Sequence, residues 1–144
     1  MRLLITILPV LLLTFGIASA EPPNKAAVKR IKLAASDYIK DGFKLREDFW
    51  KGSSAPGKRH VVKQQLFRGN EYWFWLGSET SETRLAVKVY DDKGRPVDVE
   101  TKSEKGWAAA RVLPPRTGTY TIVFVAEKNP AIKEFAWSMT YGYR

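Results

Sequence analysis

His60 is the only histidine in this chain, and there is no cysteine. Those two counts bound the chemistry available. Without a thiol there is no thiolate nucleophile, no cysteine metal site and no disulfide framework. With one imidazole, an enzymatic centre would have to be built from His60 and a carboxylate beside a Gly/Ser-rich stretch; a surface histidine at a strand start is the simpler reading. The acids Asp91, Asp92, Asp98 and Glu100 gather around one hairpin, yet they lack the D-x-D-x-D-G order of a calcium loop. Nor does their spacing set two carboxylates across a cleft as glycoside cleavage requires. Gly52, Gly57 and Gly69 are scattered, and no Gly-Lys-Ser/Thr follows a strand, which argues against a phosphate loop. The sequence therefore predicts no enzyme, no metal site and no cofactor.

Aromatic residues carry more weight. Trp50, Trp73, Trp75, Trp107 and Trp137 concentrate ring surface in a short chain, and the run Glu71 to Gly77 reads EYWFWLG. In an extended chain Tyr72, Phe74 and Leu76 point one way while Trp73 and Trp75 point the other. Two outcomes are open. Either the strand is central and buried on both sides, or Trp73 and Trp75 form an exposed platform. With Lys63 and Arg68 nearby in sequence, such a platform could stack on a glycan or peptidoglycan and hold an anionic polymer.

The elements that must position these residues follow a leader. Met1 and Arg2 precede an apolar run from Leu3 to Ile17 and then Ala18-Ser19-Ala20, the pattern of a secretory signal cleaved before Glu21. A bilayer span needs about 20 apolar residues, and this run is shorter and holds Pro9 and Gly16. Residues 1–20 are thus expected to leave, with no transmembrane segment after them, and the remaining 124 or so match one domain. The expected location is the bacterial periplasm or the exterior. Net charge is +9, reduced by one when Arg2 leaves, a balance that suits anionic surfaces and solubility alike.

Residues 21–42 read as an N-terminal helix. Asn24 can cap it, Val28, Ile31, Ala35, Tyr38 and Ile39 form an apolar side, and Asp41-Gly42 ends it. Lys25, Lys29, Lys32 and Lys40 lie mostly elsewhere. They make either a basic amphipathic face for a membrane or polymer, or a solvated face diluted by Asp37 and Asp41. Residues 43–144 read as short strands: 43–50, 60–67, 71–77, 84–90, 97–101, 107–113, 119–125 and 135–143, with 51–59 and 102–106 as loop and turn. His60 to Phe67 alternates as an edge strand does, and Phe135 to Tyr143 keeps a period of two throughout. The fold expected is mainly β, an antiparallel sandwich of jelly-roll or immunoglobulin-like type preceded by one helix.

From Leu66 to Tyr141 the order of features resembles the bacterial pre-peptidase C-terminal domain family, small β-sandwiches found on exported proteins. The similarity rests on Leu66-Phe67-Arg68-Gly69 before an aromatic strand, on the hairpin from Leu85 to Gly94, and on Pro114 to Tyr120 with its tGtY turn. Such domains often carry an Asp before the hairpin strand. Here Thr83 and Arg84 stand instead, so no calcium site is carried over. The resemblance implies an accessory or binding domain. The function expected is a non-enzymatic interaction module partnering an anionic envelope polymer, a glycan or another exported protein, with no nucleic acid; the alternative is carbohydrate or peptidoglycan binding through Trp73 and Trp75.

Overall fold

A computed structural model describes residues 22–144. The leader expected at 1–20 lies outside the described residues. Helix α1 spans Pro23–Lys40 and starts from Pro22, not from Asn24, which falls in the first turn and caps nothing. Proline at the first helical position explains this: its φ is already helical and its missing N–H needs no partner there. The other end closes as expected. Gly42 takes a left-handed φ of 98°, Phe43 N–H donates to the Tyr38 carbonyl at 3.0 Å and Gly42 N–H to that of Ile39 at 3.1 Å. The Phe43 and Tyr38 rings then meet edge-on at 6.1 Å, the apolar clasp that accompanies such an ending.

Nine strands follow: β1 (Lys44–Leu45), β2 (Trp50–Ser54), β3 (Arg59–Leu66), β4 (Tyr72–Ser78), β5 (Leu85–Tyr90), β6 (Glu100–Glu104), β7 (Trp107–Val112), β8 (Gly118–Ala126) and β9 (Phe135–Tyr143). They form two antiparallel sheets. The larger runs β1-β9-β4-β7-β6, with β2 also on β9; the smaller runs β3-β8-β5. The molecule is a β-sandwich preceded by one helix, as the sequence predicts.

Three local expectations give way. Residues 51–59 are not all loop, because Trp50–Ser54 pairs with β9 from Trp50 opposite Met139 to Ser54 opposite Phe135. The partner strand, not local propensity, makes KGSS extended. Of 43–50 only Lys44–Leu45 and Trp50 join strands, and residues 102–104 continue β6 where a turn was expected.

The sandwich interior is filled by Leu66, Phe74, Leu76, Ile122, Phe124 and Met139. A second apolar layer sits on the opposite side of the larger sheet, where Ile31 and Ala35 of α1 cover Phe43, Trp73, Trp75 and Ala109. Gly77 makes this approach possible: a Cβ there would stand 2.6 Å from the Ala27 carbonyl oxygen and 2.9 Å from Ile31 Cγ1.

Candidate functional site

Strand β4 puts Trp73 and Trp75 side by side beneath α1, 3% and 1% exposed. They do not form a platform. Of the two outcomes open in the sequence, the central strand buried on both sides is the one observed. Tyr38 lies 4.9 Å from Trp73 and 5.6 Å from Trp75, centroid to centroid. The cation beside these rings is Lys102 of β6, whose ammonium sits 5.4 Å from the Trp73 ring centre and donates to the Tyr38 hydroxyl at 2.6 Å. That hydrogen bond holds the Lys102 ammonium above its ordinary value. Lys63 and Arg68 are not brought to the indoles. Lys63 is exposed on β3 in the other sheet, and Arg68 stands in the turn after β3, its N–H donating to Thr117 Oγ1 at 3.0 Å. Trp50 and Trp107 are partly buried and Trp137 is 8% exposed, so no indole lies open.

His60 faces inward at a corner of the sandwich. Its ring stacks on Phe124 with centroids 5.1 Å apart and leans on Trp137 at 5.7 Å. Its Nε2 meets Ser54 Oγ at 2.5 Å, a pairing that the loop reading of Ser54 concealed. Burial, helped by the Lys58 charge, lowers the imidazole below its ordinary value and so favours its neutral form. A neutral imidazole beside a hydroxyl has the outline of a nucleophile and base. Here the hydroxyl belongs to a serine 4% exposed, enclosed where a substrate carbonyl would have to arrive.

Of the hairpin acids, Asp91, Asp92 and Glu100 are paired within the structure, while Asp98 stands exposed. Asp91 accepts from the Lys93 and Arg95 N–H groups, both at 2.9 Å, and from Arg95 Nε at 3.0 Å. The Arg95 backbone bond leads in holding it below the ordinary carboxylate range. Asp92 pairs with Arg116 and Glu100 with Arg111, each at 3.6 Å. No group of three or more metal-ligating side chains occurs among the described residues.

A carboxylate that sequence reading passed over matters more to the architecture. Glu71 accepts from Arg111 Nε at 2.6 Å and Arg144 Nε at 2.9 Å. Burial works to raise its carboxyl, but the bonds from Arg144 and Arg111 outweigh it and hold it below the ordinary value. Arg144 also donates to the Asp41 carbonyl at 3.1 Å and lies 4.6 Å from the Phe43 ring centre. The last residue thereby ties the end of α1 to the start of β4.

One face left open is the outer side of α1. Lys25, Lys29 and Lys32 are exposed there, beside Leu33 at 68% and Ile39 at 43%. Residues 22–36 contain no acid. Lys32 also borders a groove of about 580 Å³ between α1 and the segment after it, lined by Ile39, Phe43, Lys44, Leu45 and Phe49. Exposed lysines and aliphatic side chains thus stand together on this side of α1. No family model matches the chain, and no curated protein is similar to it.

Proposed function

We propose that this chain is an exported, non-enzymatic interaction or accessory module of the bacterial envelope or extracellular space. The observation that carries the reading is the outer side of α1, where Lys29, Lys32, Leu33 and Ile39 stand in solvent while Trp73 and Trp75 are buried. The leader pattern at 1–20 supports export. The resemblance to pre-peptidase C-terminal domains supports an accessory role, and the net charge of +9 supports an anionic partner. A glycan platform on Trp73 and Trp75 finds no support in their burial. Among the described residues no helix is long and apolar enough to cross a membrane.

Export and role are tested together. The full chain expressed with its leader should yield a product beginning at Glu21 by mass. Incubated with washed envelopes, that product should be retained and should release no fragment of lipid, glycan or peptide. Steady turnover of any envelope component, lost in a Ser54→Ala or His60→Ala variant that still folds, would overturn the reading.

A further inference from the structure

We infer that the outer side of α1 docks on an anionic phospholipid surface. The inference rests on the interaction-module reading and names the partner of that same face.

The helix is laid flat on the sandwich by Ala27, Ile31 and Ala35, all fully buried, so its opposite side can lie parallel to a planar surface. At 100° per residue the direction opposite these three falls among Lys29, Leu33 and Lys40, with Lys25 and Lys32 displaced toward the groove. Val28 and Ile39 lie further round toward the groove, and Ala26 on the other flank. Leu33 near the outermost line with lysines beside it suits a helix that rests at a bilayer interface, where the aliphatic side chain enters, lysine stems lie along acyl chains and ammonium groups reach phosphates. Neither Lys29 nor Lys32 has an ion pair among the described residues, so both can meet an external anion.

The acids nearby lie at the margins. Asp37 pairs with Lys40 at 3.3 Å, beyond the basic stretch. Asp48 pairs with Arg46 at 2.8 Å on the far bank of the groove, beside Glu47. From Lys25 to Leu33 the outer side of α1 therefore carries no acid, and Ile39 lies beyond Asp37 at the groove.

Leu33 and Ile39 decide between a lipid surface and a hydrophilic polyanion. A polyanion would satisfy the lysines and leave both aliphatic side chains in water; a bilayer interface takes both. The groove, lined by Lys32, Lys44, Leu45 and Phe49 among others, extends the same mixture of charge and apolar surface.

Vesicle co-sedimentation tests the inference on the exported product of the full chain. Phosphatidylcholine vesicles containing roughly a third phosphatidylglycerol should bind it and pure phosphatidylcholine should not, with binding falling as salt rises. Each lysine near an anionic surface is worth about fivefold, so the double variant Lys29→Glu/Lys32→Glu should bind at least about twentyfold more weakly. Leu33→Ser keeps the charge and should still lose several-fold. These side chains point into solvent, and an unchanged thermal melt will show that the variants fold. Equal binding to both vesicle types, or binding unchanged in the double variant, would overturn the inference. So would dextran sulfate binding as tightly as vesicles and indifferent to Leu33→Ser, which marks a polyanion site. If vesicle binding is absent while washed envelopes still retain the protein, the lipid assignment falls and the module reading stands.

Discussion

The two sheets end in opposite kinds of outer surface. On the larger sheet the side away from the sandwich carries Trp73, Trp75 and Ala109 and is roofed by α1. On the smaller sheet the corresponding side carries Arg59, Val61, Lys63, Gln65 and Lys88, all exposed, and has no roof. The strand sequences account for this. Strands β3 and β5 alternate polar with apolar and can leave one face in water, whereas β4 is large and apolar on both faces and cannot. Strand β4 therefore requires a third layer, and α1 is the element that supplies it. In supplying it, the helix turns its lysines outward, so the need to cover two tryptophans is also what presents a basic face to the surroundings.

Substitutions on the two outer surfaces should separate sharply. The largest effect is expected at Trp75→Ala, which empties the space beneath α1 and should cost about 3–5 kcal/mol in urea unfolding. Gly77→Ala comes next. Its Cβ would press on the Ala27 carbonyl and Ile31, so about 1–3 kcal/mol should be lost, with amide exchange in α1 accelerating more than in β8. At the bare face, Lys88→Ala should change stability by no more than about 0.5 kcal/mol. A cost there as large as at Gly77 would mean that the smaller sheet is covered after all.

The His60 corner gives a pH-dependent version of the same contrast. Its imidazole titrates lower in the folded chain than the usual 6.5 because burial and Lys58 disfavour the charged form. The unfolded chain then takes up the proton first. Stability is full above about pH 6.5, falls as pH drops through the folded value, and levels off below it. His60→Phe keeps a ring against Phe124 and should flatten that slope below about pH 6.5. An unchanged slope would assign the effect to the carboxylates.

Legibility in the sequence followed the range of the forces involved. The alternation of β9 and of β3, the ending of α1 at Asp41-Gly42 and the two-sided apolar character of β4 are local patterns, and each reads directly. Strand β2 could not be read, since Gly52, Ser53 and Ser54 are extended only because β9 lies beside them. The same oversight hid the Ser54 and His60 contact. Asn24 looked like a cap because its side chain is suited to one, but the preceding prolines set the start. Whether Trp73 and Trp75 were platform or core turned on where α1 lay, a long-range fact. Lys63 and Arg68 are close to them in sequence and far in space, and the cation that does reach Trp73, Lys102, is 29 residues further along the chain.

The most direct test of the account compares where the exported protein resides in the cell that makes it. After gentle lysis at low salt, the wild-type protein should sediment with membranes and come off in high salt, while Lys29→Glu/Lys32→Glu should remain in the supernatant with an unchanged melting curve. Identical distribution of the two proteins would contradict the assignment of the α1 face as the docking surface.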